Sequence, residues 1–174
     1  MDFRFFFAFL SRQKREGPYR KYVFLSDFSH LGQLIHSPAM PAANAPRVLI
    51  ADDEDLLRNL ARRVLERAGF KVETASNSEA VLAALSDPPL PGVLVLDFNL
   101  PPAVGSDLVH KVRGLARSLP LILTSGDLLP ADCKALLDPP KSVFLPKPFA
   151  PRALVETIQR ALAVPVESRP RVDR

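Results

Sequence analysis

The residues of this chain that could do chemistry share one position, the end of a short apolar run. They are acids, a hydroxyl and a lysine: Asp52, Asp53, Asp97, Ser125 and Lys147. Carboxylates held close together repel one another and resist ionisation unless a cation lies among them. Mg²⁺ suits such a place because it prefers oxygen ligands and is typically held by one or two carboxylates together with a phosphate. A lysine beside the metal supplies positive charge for a bound anion, so these residue types predict a magnesium-dependent anion site.

These five residues meet only if the elements before them form a parallel sheet. From Arg47 onward, short apolar runs alternate with amphipathic segments, a pattern typical of α/β folds. The predicted strands are 47–51, 71–74, 93–96, 121–124 and 143–145, and the predicted helices lie at about 57–68, 78–85, 106–115, 131–137 and 151–162. Ligands bind at the carboxyl ends of the strands in an open parallel sheet, which is where the candidate residues stand.

The first helix has the clearest support in the sequence. Apolar residues recur in it at helical spacing and form one stripe: Leu57, Leu60, Ala61, Val64, Leu65 and Ala68. Such a stripe is expected to pack against the sheet. Gly69 is placed to end the helix.

Each candidate residue also has a plainer interpretation. The acidic run 52–55 suits a simple helix start, because acids favour the positive end of the helix dipole. Ser125 could bond only to local backbone, and Lys147 could be a solvated surface charge. Asp97 is harder to explain in this way, because a charge at the end of the apolar run 93–96 needs a partner or a function. The joint placement of these residues favours a site.

The composition sets limits on the function. The chain has 174 residues, 47% of them hydrophobic and 24% charged, with a formal net charge of +4, which is typical of one globular domain with tails. The single cysteine, Cys133, excludes an intrachain disulfide and is expected to pack in the fourth helix. The three histidines, His30, His36 and His110, lack metal-ligand spacing, and no phosphate-loop or dinucleotide motif occurs.

The chain changes character before the first predicted strand. Residues 1–45 mix aromatic and basic residues without a sustained period, and we expect a non-domain, disordered extension. Met40 lies just before the regular region and is an alternative start. Residues 46–164 form the expected domain and residues 165–174 a polar tail. A secretory signal is not favoured, since the run 5–10 is short and basic residues follow it, so we expect a cytoplasmic protein without a membrane span.

Several short motifs of this sequence resemble the receiver domain of two-component response regulators. They are Asp52-Asp53, Leu96-Asp97-Phe98-Asn99-Leu100-Pro101, Gly105, Leu123-Thr124-Ser125-Gly126 and Lys147-Pro148-Phe149. The spacing between them fits the family over about residues 46–164. The resemblance implies a flavodoxin-like, doubly wound, five-stranded parallel sheet of order 2-1-3-4-5 with five helices, a strand order that periodicity alone leaves open.

The resemblance also assigns roles to individual residues. Asp97 resembles the phosphoacceptor, and Lys147 and Ser125 the residues that act on the phosphoryl group. Mg²⁺ would be held by Asp52, Asp53, Asp97 and the backbone carbonyl of Asn99. Ser125 and Phe144 would form the switch, with a steric signal because phenylalanine lacks the hydroxyl of the more usual tyrosine. Asn99 and Asp127 stand where family members tune dephosphorylation, and Lys147-Pro148 resembles the family's cis peptide.

The implied function is that of a stand-alone receiver. A histidine kinase or a histidine phosphotransfer protein would phosphorylate Asp97, and the modified domain would bind an unidentified downstream protein. It would be a phosphoacceptor able to catalyse its own phosphorylation and dephosphorylation rather than an enzyme, and no DNA-binding module is expected. Two alternatives remain at this point. One is a receiver-like adaptor that is never phosphorylated. The other is an aspartate-nucleophile phosphatase, which requires a second acid at the position of Asn99.

Overall fold

The computed structural model describes residues 45–103 and 105–163. The predicted extension, Met40 and the polar tail lie outside these residues, as do His30 and His36. Strands and helices alternate along the described chain. The strands are β1 Arg47–Ala51, β2 Lys71–Ala75, β3 Val93–Asp97, β4 Leu121–Ser125 and β5 Ser142–Pro146. The helices are α1 Asp55–Arg67, α2 Ser78–Ser86, α3 Gly105–Leu115, α4 Ala131–Ala135 and α5 Pro151–Ala163.

The five strands form one parallel sheet in the order β2-β1-β3-β4-β5. This confirms the doubly wound, flavodoxin-like arrangement with five helices. The central strands β3 and β4 are buried along their whole length, whereas the edge strands β2 and β5 are partly exposed. Helices on both faces account for this burial, as parallel sheets require.

Alternation along the strands divides the core into two clusters. One face of the sheet packs against α2, α3 and α4, through residues such as Leu96, Leu123 and Cys133. The other face packs against α1 and α5, through residues such as Val95 and Ile122. Cys133 is fully buried, as predicted for a packing residue. Among the described residues, no helix is both long and apolar enough to cross a membrane.

The ends of several elements differ from the sequence-based expectation. Asp97 and Ser125 are the last residues of β3 and β4 rather than the first residues after them, because the ladder continues past the apolar run. Helix α4 ends at Ala135 and not at residue 137, since the amides of Leu136 and Leu137 bond to carbonyls three residues back and tighten the chain into a turn. Gly69, at φ 89°, follows the end of α1, as predicted.

Candidate functional site

The carboxyl ends of β1 and β3 bring three acids together. The two strands are paired in parallel with Ala51 opposite Leu96, so the residues that follow on each strand are neighbours. Carboxylate oxygens of Asp52, Asp53 and Asp97 lie within 4.8 Å of one another. Asp52 and Asp97 are each 6% exposed, whereas Asp53 is exposed to solvent. The sheet therefore forms the acidic cluster that the sequence predicted.

Lys147 bridges the two buried acids. Its Nζ lies 2.7 Å from Oδ2 of Asp52 and 2.7 Å from Oδ2 of Asp97, and its side chain is 17% exposed. Burial by itself would lower the pKa of Lys147, but the hydrogen bonds and charges of Asp52 and Asp97 outweigh burial and raise that pKa above its usual value. Lys147 is thus a fixed ammonium within the site and not a solvated surface charge.

The other oxygen of each buried carboxylate orients a loop. Oδ1 of Asp52 accepts a hydrogen bond from the amide of Glu54 at 2.9 Å, and Oδ1 of Asp97 accepts one from the amide of Asn99 at 3.1 Å. These bonds fold the chain back over the carboxylates just after the strands end. Each acid is therefore held from two sides, by its own loop and by Lys147, which fixes the direction in which its oxygens point.

The cluster fits a divalent cation. Three carboxylates against one ammonium leave a formal excess of two negative charges. Two oxygens on opposite sides of one Mg²⁺ are about 4.2 Å apart, because each Mg–O bond measures 2.0–2.1 Å. The three carboxylate oxygens lie within 4.8 Å of one another, so rotation of the side chains would have to bring them closer before all three reach one ion. Asp52, Asp53 and Asp97 are the residues that would hold the ion, and the carbonyl of Asn99 stays a predicted fourth ligand.

The two hydroxyls at the end of β4 have different environments. The hydroxyl of Thr124 donates to the carbonyl of Leu96 at 3.3 Å, so it forms a hydrogen bond between β4 and β3. Ser125 is 1% exposed, and its Oγ accepts a hydrogen bond from the amide of Asp127 at 3.1 Å. By strand alternation Ser125 lies on the face that carries α4, whereas Thr124 lies on the opposite face. This placement favours Ser125 as the hydroxyl of the switch.

Strand β5 links Ser125 to Lys147 and Phe144. The amide of Lys147 donates to the carbonyl of Ser125 at 2.7 Å. Phe144 is partly buried against the core cluster that includes Cys133 of α4. The peptide bond between Lys147 and Pro148 is cis, as predicted. The candidate switch residues therefore sit on adjacent strands and on one side of the sheet.

The remaining candidates lie at the rim. Asn99 and Asp127 have exposed side chains and follow the ends of β3 and β4 by two residues. Their backbone amides donate hydrogen bonds to the site, from Asn99 to Asp97 and from Asp127 to Ser125. His110 is exposed, as expected for a surface residue.

Sequence reasoning missed one residue of the site, Arg58. Its guanidinium donates to the carbonyl oxygen of Asp52 at 2.6 Å and also pairs with Asp55. The ion pair between Arg58 and Asp55 was predictable from the sequence, since residues three positions apart in a helix are neighbours on its surface. The hydrogen bond from Arg58 to the carbonyl of Asp52 was not predictable, because the direction of that carbonyl is set by the turn that precedes α1. Arg58 fixes the start of α1 against the acidic loop.

Comparison with known proteins finds regulatory proteins that are similar to part of this chain. The chain is 35% identical over 118 residues to the C4-dicarboxylate transport transcriptional regulatory protein DctD of Rhizobium meliloti, which covers 67% of this chain and 25% of DctD. It is 33% identical over 111 residues to the two-component response regulator ORR41 of Oryza sativa, covering 62% of this chain and 87% of ORR41. The chain thus spans only a quarter of one relative and most of the other.

Solved structures give the same result. The chemotaxis response regulator CheY4 of Vibrio cholerae superimposes with a TM-score of 0.60 at 29% identity, covering 68% of this chain and 99% of CheY4. The family model for the response regulator receiver domain matches residues 48–159, which include every residue of the acidic cluster and, apart from Arg47, all residues of the five strands. This chain belongs to the receiver domain family of two-component signalling.

Proposed function

We propose that Asp97 accepts a phosphoryl group, in a magnesium-dependent reaction, from a phosphohistidine of a histidine kinase or a histidine phosphotransfer protein. The observation that carries this proposal is the position of Asp97. Its carboxylate is 6% exposed, belongs to the three-acid cluster and has Lys147 at 2.7 Å from one oxygen. A buried acid paired with a cation at the ligand-binding edge of a parallel sheet is a suitable oxygen nucleophile.

The transfer balances as a displacement at phosphorus. An oxygen of Asp97 forms the new O–P bond while the N–P bond of the phosphohistidine breaks, and the imidazole leaves with the electron pair and takes a proton from solvent. Lys147 is placed to stabilise negative charge on the transferring oxygens, since positioned cations are the main source of catalysis in phosphoryl transfer. Asp52, Asp53 and Asp97 would hold the magnesium ion, which would supply further positive charge for those oxygens.

Phosphorylation would then change the surface formed by α4, β5 and α5. The modification adds about −1.5 to −2 charges to the site. The hydroxyl of Ser125 and the ammonium of Lys147 are the donors that can turn toward the new oxygens. Support for this step comes from the backbone bond between these two residues and from the packing of Phe144 beside α4. A downstream protein that prefers the altered surface would shift the population toward it.

The proposed function comprises the phosphoacceptor step and the surface that responds to it. DctD is a transcriptional regulatory protein by name, and the part that this chain matches is a quarter of it. Asn99 and Asp127 would tune the loss of the phosphoryl group, because their exposed side chains flank the site where a hydrolytic water approaches. Asn99→Ala and Asp127→Ala are therefore expected to change the half-life of the phosphorylated protein.

Incubation with acetyl phosphate tests the proposal. The full chain is expected to gain the mass of one phosphoryl group in the presence of Mg²⁺ and to gain none in EDTA. The added group should be labile to hydroxylamine, as an acyl phosphate is. Asp97→Asn should abolish the gain, whereas Asp55→Asn, which removes an exposed acid outside the three-acid cluster, should keep it. A wild-type protein that is folded but never gains the mass would instead be a receiver-like adaptor.

A further inference from the structure

A second concave site lies at the end of the sheet opposite the acids. It is a cavity of about 500 Å³, here called the distal cavity, between α3, α4 and the starts of the last two strands. Ser142, which begins β5, and Leu119, which precedes β4, form part of its wall. The cavity therefore lies at the amino ends of these strands, whereas Asp97 lies at the carboxyl end of β3. Its volume falls within the range of small-molecule sites, about 300–1,000 Å³.

The wall of the distal cavity carries excess positive charge. Arg113, Arg117 and Lys141 line it, with Asp138 as the acid among its lining residues. None of the ion pairs found within residues 45–103 and 105–163 includes any of these four side chains. Three cations against one carboxylate leave a formal excess of two positive charges. The cavity is thus electrostatically suited to a dianion.

Arg113 is held in place by neutral partners. Its Nη1 donates to the carbonyl of Leu119 at 2.7 Å, and its Nη2 donates to Oγ of Ser142 at 2.6 Å. Burial lowers the pKa of Arg113, and the charge of Asp138 only opposes this effect. A half-buried guanidinium is usually matched by an anion. In this wall the hydrogen bonds fix the group without neutralising its charge, which preorganises it for an anionic ligand.

The rest of the wall is apolar or open. Ala135 and Leu136 contribute aliphatic surface. Gly114 also lines the cavity, and a Cβ added there would meet no atom within 4 Å. Ligand sites typically combine a mostly apolar lining with a few placed polar groups. We propose that the distal cavity binds a small organic phosphate, with the phosphate on Arg113, Arg117 and Lys141 and the body of the molecule against the aliphatic wall.

Binding of AMP tests this proposal independently of phosphoryl transfer. The full chain, labelled with ¹⁵N and kept in EDTA, is titrated with millimolar AMP while backbone amide resonances are followed by NMR. The amides of Gly114, Leu119 and Ser142 are expected to shift in a saturable way. Adenosine, which lacks the phosphate, should not shift them, and inorganic phosphate, which lacks the body, should bind more weakly. Unmoved resonances with AMP, or equal affinity for inorganic phosphate, would overturn the proposal.

Substitutions in the wall separate a built site from general attraction to a basic surface. Arg117→Gln combined with Lys141→Gln should weaken AMP binding roughly tenfold or more, since charge-assisted hydrogen bonds are lost. Lys111→Gln combined with Lys134→Gln removes the same charge from exposed positions outside the wall and should leave the affinity unchanged. Equal weakening by both pairs contradicts the proposal.

Gly114→Leu tests the proposal by filling the distal cavity rather than by removing charge from its wall. The position is open toward the cavity and lies inside α3, so leucine should occupy the space without disturbing the fold and should improve helix propensity. The variant is expected to lose AMP binding while its melting temperature stays at or above that of the wild type. Retained AMP affinity in a folded Gly114→Leu protein would show that the ligand binds elsewhere.

Discussion

At the scale of single residues, the site depends on one ammonium shared by two buried carboxylates. Lys147 lies at hydrogen-bond distance from both Asp52 and Asp97, and neither acid has another cation within ion-pair distance among the described residues. The attraction of two acids offsets the cost of burying the lysine, which is why its pKa is raised. The same arrangement gives Lys147 a second role in stability, beside its proposed role in phosphoryl transfer.

Lys147→Met should destabilise the fold in a pH-dependent way. Removal of the ammonium leaves two buried carboxylates without a compensating positive charge, and we expect a loss of about 3 kcal/mol of stability at pH 7. A raised pKa means that the stabilisation by Lys147 is complete below the unfolded-state pKa of about 10.4. It is lost as the pH rises through the higher folded-state pKa. Urea denaturation from pH 7 to strongly alkaline pH measures the free energy of unfolding of both proteins. The difference between the two free energies should shrink only above the unfolded-state pKa of the lysine.

Asp53→Asn should change the response to Mg²⁺. The wild-type melting temperature should rise with Mg²⁺, since an ion that binds only the folded state adds about 1.4 kcal/mol at tenfold excess over its dissociation constant. The variant loses one ligand of the cluster and should lose most of this rise, while in EDTA it should be at least as stable as the wild type because one repelling charge is gone. Asp55→Asn is the matched control and should keep the full rise. Equal rises in all three proteins would contradict the cation site.

At the scale of elements, the turn after β3 depends on a glycine. Gly105 begins α3 with φ 64°, its amide donates to the carbonyl of Phe98 at 2.7 Å, and an added Cβ would lie 3.3 Å from the Phe98 ring. Gly105→Ala is therefore expected to destabilise the fold by about 1–2 kcal/mol. Gly114→Ala, in the same helix with open space around it, should stabilise by about 0.5–1 kcal/mol. Denaturant titration measures the free energy of unfolding of both variants. Equal changes in the two would contradict the requirement for glycine at position 105.

The elements themselves were largely predictable from the sequence, because burial on both faces of the sheet produces continuous apolar runs. The runs 93–96 and 121–124 identified β3 and β4, and the stripe from Leu57 onward identified α1. The positions of the acids followed from the same reasoning, since parallel strands end at one edge. The strand order came instead from the resemblance, because a periodic pattern carries no information on which strands are neighbours.

The ends of the elements and the contacts between distant residues were not predictable in this way. A strand ends where its backbone pairing stops, and the pairing here continues to Asp97 and Ser125, which are polar. The bond from Arg58 to the carbonyl of Asp52 and the two bonds of Arg113 depend on backbone positions that a pattern of side chains does not encode. Helix α4 is likewise shorter than predicted, since it ends at Ala135 and not at residue 137.

At the scale of the whole molecule, the proposed switch requires that the acidic cluster and the α4 face respond together. The chain contains no tryptophan, so Phe144→Trp introduces a single reporter beside α4. Its emission should change when acetyl phosphate and Mg²⁺ are added, because the proposed switch turns Ser125 and Lys147 toward the phosphoryl group. With Ser125→Ala added, the protein should still be phosphorylated but the emission change should be lost. An unchanged emission response in the Ser125→Ala background would contradict the proposed switch.

The most direct test of the central claim is the chemical identity of the modified residue. Borohydride reduces an aspartyl phosphate to homoserine, which marks the phosphorylated position permanently. After treatment with acetyl phosphate and Mg²⁺, then borohydride, peptide mass spectrometry should find homoserine at position 97 and at no other acid of the cluster. Homoserine at position 52 or 53, or none in a folded and magnesium-bound protein, would contradict the assignment of Asp97 as the phosphoacceptor.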